Sequence, residues 1–339
     1  MTPALSRGIT HANVLMTLLI VCMHAIWTGE TRLLPFFVLT NAAVPVFFTI
    51  SSLLYFQHWK PTWTCYRRKL VSRVRSLLVP YLLYNVLFYL YYIVKIHVLH
   101  RPTAKVIPTD IAGALLCIVE SVPDGVLWYV RDVFLFALIA PLLGLLLQRS
   151  RLLVWILIIA SLGCFVLPYE NLFFWTPCLL AGCYCALYPD NVRFPFDRLR
   201  HDSRMRWLAG ALLIAVVACA CLLLADVSWS SLAFYLFRMS SPLWMAAAFC
   251  IFGALLPQRL VSLMAPLTFF IYCTHPAFVD VAKAVIPMPS PADGLAIVIM
   301  RYVLVVLVAL LPMTVCGIAI RRLMPRLWAL LTGFRSEHR

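Results

Sequence analysis

Ten apolar stretches, most of them near the length of a bilayer-spanning helix, run from one end of this sequence to the other. They are Ala12–Trp27, Pro35–Phe56, Leu77–Leu99, Val126–Leu147, Leu152–Val166, Leu172–Leu187, Trp207–Ala225, Leu232–Leu256, Leu263–Lys283 and Leu295–Ile320. A spanning helix needs about 20 apolar residues, so the limits of the short fifth and sixth runs are soft. The runs are continuous rather than alternating, which disfavours an outer-membrane barrel. Helices satisfy their own backbone hydrogen bonds in lipid. The expected fold is therefore all-α: a polytopic membrane helix bundle of about ten transmembrane helices, a single membrane-embedded unit over residues 1–339 with no appended soluble domain. The segment Asp110–Glu120 is apolar but too short to cross, and reads as a half-helix or an interfacial piece.

Composition agrees. The 339 residues are 63% hydrophobic and 12% charged, against about 45–50% and about 25% in soluble domains. That excludes a disordered chain, a disulfide scaffold and an ordinary cytosolic enzyme. The net charge of +15 points away from nucleic acid here, because cations in such a chain mark the cytoplasmic side. With the N-terminus inside, 20 of the 28 Lys and Arg fall in inner segments, and the alternation agrees with both termini cytoplasmic. Most of the twelve cysteines sit in apolar runs and read as small buried hydrophobes. No zinc-type pairing occurs, and no metal site is expected. The first run has no cleavage pattern after it and reads as a retained span.

Several ionisable groups do not stay outside the lipid. A charge at mid-bilayer costs about 2.5–3.5 kcal/mol even on the lenient insertion scale, so such groups normally face a polar interior. His24 lies twelve residues from the inner end of the first span and His275 twelve from that of the ninth. Arg131 sits five residues from the outer end of the fourth span and Arg301 six from that of the tenth. At about 1.5 Å per residue, all four fall in the mid-to-outer membrane, where they can share one cavity. Asp132 adjoins Arg131, and Glu30 follows the first span.

Each has a plainer reading. His275 alone serves equally well as a helix-to-helix hydrogen bond. Lys283 is expected to snorkel to the outer surface, and Arg238 can do the same. Neighbours in a helix point apart, so Arg131 and Asp132 are expected to pair with other spans. His24 is harder to dismiss, since an imidazole can take a proton from a hydroxyl. The basic run Tyr66–Arg75 serves as a topology anchor or anionic-lipid contact, or holds a phosphorylated ligand. Anchoring suits Arg67, Arg68 and Lys69, whereas Arg73 and Arg75 lie closer to the membrane. No Walker loop, dinucleotide fingerprint, GxSxG or HExxH is present.

Five segments in order resemble the acyltransferase-3 family of integral membrane proteins: Asn13–Ala25 with His24 near its end, Val44–Ser51, Arg73–Tyr81, Leu127–Asp132 and Phe269–Pro276 with its Tyr272-x-x-His275-Pro276. Each is unspecific alone; together they cover almost the whole chain. The resemblance implies a cell (inner) membrane enzyme that transfers an acyl group, commonly acetyl from acetyl-CoA, to a hydroxyl of a glycan, lipid-linked saccharide or other envelope acceptor. It implies His24 as leading catalytic residue, with His275, Arg131 and Asp132 as further candidates. Arg73 and Arg75 then help hold acyl-CoA, with Asn13 and Ser51 as further donor-side candidates.

Two positions depart from the family pattern. The basic residue usual eleven positions before the first-helix His is Asn13, which brings no charge, and the small Gly after Ser51 is Ser52. A transporter or flippase of a saccharide or lipid-linked sugar is the competing class, because it also accounts for buried ions. Inverted repeats would favour it, and no convincing repeat is visible. The separate membrane-bound O-acyltransferase family shares the reaction class, but its long-loop His context is not evident.

Overall fold

Among the described residues every regular element is helical. The computed structural model describes residues 3–98, 100, 110, 112–113, 125–190, 203–228, 230–252 and 256–334. Apart from Asp110, Ala112 and Gly113, the segment Asp110–Glu120 lies outside them. The cations Arg101, Lys105, Arg193, Arg198, Arg200, Arg335 and Arg339 do as well.

The helices are α1 (Pro3–Ala25), α2 (Leu34–Thr40), α3 (Ala43–Phe56), α4 (Trp63–Arg73), α5 (Val79–His97), α6 (Trp128–Leu147) and α7 (Arg151–Ser161). They continue as α8 (Thr176–Leu187), α9 (Ser203–Ala225), α10 (Leu232–Phe252), α11 (Gln258–Met264), α12 (Thr268–Val285), α13 (Leu295–Leu323) and α14 (Pro325–Thr332). Among the described residues seven stretches are long and apolar enough to cross a membrane: Leu5–Ala25, Thr31–Phe56, Trp63–His97, Trp128–Leu147, Arg206–Ala225, Gln258–Val285 and Leu295–Leu323. Arg151–Val166 and Leu172–Leu187 are helical but shorter.

Two expected spans differ in their interior. The second is broken at Asn41 and Ala42, between α2 and α3. Pro45 has no N–H to give the carbonyl of residue 41, and the Asn41 side-chain amide caps the end of α2 by donating to Phe37 O at 2.8 Å. The third begins earlier than its hydropathy suggests. The basic run is itself helical as α4, joined to α5 through a π-turn at Val74–Leu78. Pro80 explains the turn: it cannot donate to Ser76 O, and its ring crowds that carbonyl, so the helix widens there.

Packing centres on α3, which touches α1, α6, α8 and α10. Its crossing with α8 is the closest. A Cβ on Gly182 would lie 2.3 Å from Thr49 O, so only glycine allows this approach. Two hydroxyls bridge the same seam: Ser52 donates to Leu179 O at 2.6 Å and Thr49 to Cys178 O at 3.2 Å. Small residues and hydroxyl bonds are how membrane helices associate, because lipid leaves no hydrophobic drive between them. α12 packs against both α1 and α13. That places the first and ninth expected spans side by side.

Candidate active site

α1 runs alongside the stretch α11–α12 with the same polarity, because it meets α11 near one end and α12 near the other. His11 Nε2 meets Gln258 Oε1 at 3.0 Å at one end. At the other, the rings of His24 and His275 approach to 4.9 Å between centroids, tilted 55°. His275 is fully buried. Its Nδ1 lies 2.7 Å from Tyr272 O, and a carbonyl can only accept, so Nδ1 carries the proton. In the neutral ring Nε2 is then the acceptor nitrogen. That atom is buried with no hydrogen-bond partner among the described residues. His24 is less enclosed.

Lys283 belongs to the same assembly. Its ammonium donates to His24 O at 2.7 Å and Ile26 O at 2.6 Å. It does not reach out to the surface as expected of a snorkelling lysine. The end of α1 presents unpaired carbonyls within its reach, and a cation suits a helix C-terminus.

A line of polar and aromatic side chains leads from the histidines toward the basic end of the bundle. Phe47, Ser51 and Tyr55 recur every four residues and form one stripe of α3. Phe47 meets the edge of Tyr272 at 6.2 Å. Ser51 shares a 2.7 Å hydrogen bond with the hydroxyl of Tyr129, whose ring is 5.7 Å from Tyr272. Tyr55 lies under the Arg73 guanidinium, 5.8 Å away. The Tyr272 hydroxyl donates to Val126 O at 2.5 Å.

Arg73 and Arg75 therefore part company. Arg73 turns inward over Tyr55, with the phenols of Tyr129 and Tyr55 as its electrostatic neighbours. Arg75 faces outward and lines an open recess of about 710 Å³ with Arg67 and Arg68. Those two were expected to serve only as anchors. Asn13 is partly buried on α1, and its carbonyl accepts from Thr17 at 2.8 Å.

Arg131 and Asp132 bond to each other, Nε to Oδ1, at 3.0 Å, contrary to the expectation that they pair with other spans. The pair sits in the first turns of α6, where the long arginine stem curls back past its neighbour. Arg131 Nη2 also donates to Glu170 O at 2.7 Å. Glu30 is likewise engaged, taking two bonds from Arg32 at 2.7 and 2.6 Å. The Glu30 and Asp132 carboxylates are thus both held by nearby arginines. Arg238 is also not a snorkelling residue. It is 9% exposed, with its guanidinium 4.9 Å from the Trp175 ring and 5.6 Å from Phe234.

Among the described residues no three His, Cys, Asp or Glu side chains gather in a metal-binding arrangement. The pieces present are an imidazole pair, a line of hydroxyls and rings, and a cluster of arginines at the other end. Such a set can take a proton from a hydroxyl and hold a phosphorylated co-substrate. A family model described as an acyltransferase domain matches residues 8–322.

The chain belongs to the acyltransferase-3 family.

As an acyltransferase-3 protein it is 26% identical, over 316 residues, to the succinoglycan biosynthesis protein ExoH of Rhizobium meliloti (strain 1021), covering 88% of this chain and 80% of that protein. No solved structure matches it. An acyl-transferring, multi-pass membrane protein follows from family and helices together. Tyr129 and Tyr272 lie inside the segments that carry the resemblance, but their mutual contact and the bond to Ser51 needed the fold. Lys283 had no sequence signal beyond its charge, and Arg67 and Arg68 were masked by the ordinary anchoring role of such runs.

Proposed function

We propose that this acyltransferase-3 protein is a membrane O-acyltransferase that moves an acyl group, acetyl in the simplest case, from acyl-CoA to a hydroxyl of a glycan or lipid-linked saccharide. The observation that carries the reading is the His24–His275 pair, with a buried Nε2 that has no hydrogen-bond partner among the described residues, at the head of a line leading to the arginines. The relative's printed name, a succinoglycan biosynthesis protein, favours a polysaccharide acceptor.

In this mechanism the acceptor hydroxyl gives its proton to His24 as its oxygen bonds to the thioester carbonyl carbon. The C–S bond then breaks, and the departing thiolate takes the proton from the imidazolium. His275, fixed by its bond to Tyr272 O, stands beside that ring as an acceptor and is assigned a positioning role. Arg131, steadied by Asp132, is assigned to the acceptor or oxyanion. The coenzyme's phosphates are assigned to Arg75 with Arg67 and Arg68. Arg73 and Ser51 guide the thioester arm inward, and Asn13 lies three turns below His24 on the same face of α1. About ten crossings with both termini cytoplasmic, in a cell (inner) membrane, put the donor site on the side where acyl-CoA is made. The whole reaction is assigned to one membrane unit over 1–339.

The test is acyl transfer by the purified protein, with envelope glycans from cells with and without the gene compared by mass spectrometry. A mass increment on a saccharide that disappears in His24→Ala is the expected result. Solute flux in proteoliposomes without acyl-CoA consumption would overturn it in favour of a transporter.

A further inference from the structure

The recess at the basic end has a wall that the family match does not contain. The match stops at residue 322, whereas Gly333 and Phe334 line the recess opposite Arg67, Arg68 and Arg75. They follow α14, which packs on α5 and α13 and sets Trp328 against Phe270 at 5.5 Å. Gly333 ends that helix in the left-handed region, at φ +71°. Phe334 N–H donates back to Ala329 O at 2.7 Å, the closing bond of a Schellman turn. A Cβ on Gly333 would lie 2.5 Å from Ser76 Cα and 2.6 Å from Ser76 O. The turn at Gly333 is therefore seated directly on the π-turn at Val74–Leu78, one residue from Arg75.

This seating leaves Phe334 in an unusual position. Its φ is +54°, uncommon for a residue with a side chain, and the residue is 53% exposed. The recess that it helps to line is also lined by Arg67, Arg68 and Arg75 and by Thr64 and Ser72. Phosphates suit the cations, since arginine forks match their oxygens. An exposed ring next to a phosphate site suits a flat base, which stacks on aromatic faces whatever its hydrogen-bonding edge. A lipid headgroup would supply phosphate but no flat face.

We propose that Phe334, fixed by the Gly333–Ser76 contact, is the stacking platform for the base of a phosphorylated nucleotide whose phosphates lie on Arg67, Arg68 and Arg75. This rests on the reading of the recess as the acyl-CoA site, and it assigns the coenzyme's nucleotide end to the C-terminal segment.

The experiment measures binding of adenosine 3′,5′-bisphosphate and of inorganic phosphate to the full chain, purified in a zwitterionic detergent. Wild type is compared with Phe334→Ala, Phe334→Trp and Arg75→Gln, and turnover of acetyl-CoA and of acetyl-pantetheine is followed in parallel. Phe334→Ala should weaken the nucleotide about tenfold and leave phosphate unchanged, and Phe334→Trp should restore it. Arg75→Gln should weaken both ligands. Acetyl-CoA should lose its advantage in KM over acetyl-pantetheine in Phe334→Ala, with kcat kept.

Nucleotide binding indifferent to Phe334→Ala would overturn the platform. So would a wild type that binds phosphate and anionic-lipid vesicles but no nucleotide. Phe334-dependent nucleotide binding without any acyl turnover would remove the transferase reading and keep this site. Turnover with a KM indifferent to Phe334 would do the reverse.

Discussion

His275 has one nitrogen committed to a carbonyl and the other without a partner among the described residues, in a fully buried setting. A bare buried acceptor is unfavourable by about 1–3 kcal/mol, so its retention beside His24 fits a use in the reaction. His24→Ala should lower acyl transfer by about 10²–10⁴-fold, with the detergent-solubilised protein keeping its gel-filtration profile and melting temperature. A full rate in that variant removes His24 from the chemistry. Arg238 is a different case. Its charge is buried under Trp175 and Phe234, with Nε unpartnered among the described residues. Desolvating a cation there costs about 2.5–3.5 kcal/mol, while each aromatic face returns about 0.5–2 kcal/mol. These nearly cancel, so Arg238→Met should change stability by less than about 1 kcal/mol, read from thermal melts. The residue types at both positions were legible in the sequence as charges and imidazoles within apolar runs. Their surroundings were not, because a side chain's neighbours come from helices far away in the chain.

At the scale of elements, the end of α1 depends on α12. Lys283 bonds two carbonyls at that end, and hydrogen bonds to a charged group are worth about 1.5–3 kcal/mol. Lys283→Met should destabilise the protein by roughly that amount and lower kcat through a displaced His24, and Lys283→Arg should recover most of both. Equal kcat in wild type and Lys283→Met would separate the cap from the chemistry. The α3–α8 crossing gives a second prediction. Gly182→Ala places a methyl 2.3 Å from Thr49 O, so the helices must part; overpacking of this kind costs typically about 1–3 kcal/mol. An unchanged melting temperature would mean that the crossing is looser than described. The helices themselves were largely readable from apolar runs. The break at Asn41 and the π-turn at Val74–Leu78 were not, although Pro45 and Pro80 were in view. A proline says that one backbone bond is missing, but the packing around it decides whether the helix stops or widens.

The whole molecule is tied at its two ends by different means. At the histidine end Glu30 accepts from Arg32, Arg32 donates to Asp293 O at 2.5 Å, and Arg301 pairs with Asp293 at 3.4 Å. This joins the loop after α1 to the one before α13. The bonds from Arg32 hold the Glu30 carboxyl below its ordinary range. The clamp's contribution is therefore fully present above the unfolded value of about 4.3 and is lost as pH falls through the lower folded value. Melting temperature should fall more steeply from pH 5 to pH 3 in wild type than in Glu30→Gln; equal slopes would discount the clamp. At the basic end, α14 and Gly333 close on Ser76. Reporter fusions at the C-terminus should mark that end as cytoplasmic, and an external reporter signal would reverse the topology.

The sequence by itself determined that the chain lives in lipid, that it is helical, and that a few ionisable groups lie at similar depths along separate spans. Those are consequences of hydropathy and of a fixed rise per residue, both local to each segment. Only the tertiary structure decided that His24 meets His275, that Arg73 turns inward while Arg75 faces the recess, and that Arg131 folds back on Asp132. Depth along a helix can be counted from its own residues, but the direction in which a side chain points is fixed by rotation and crossing. Those depend on the close approaches, such as Gly182 on Thr49, that no single segment contains.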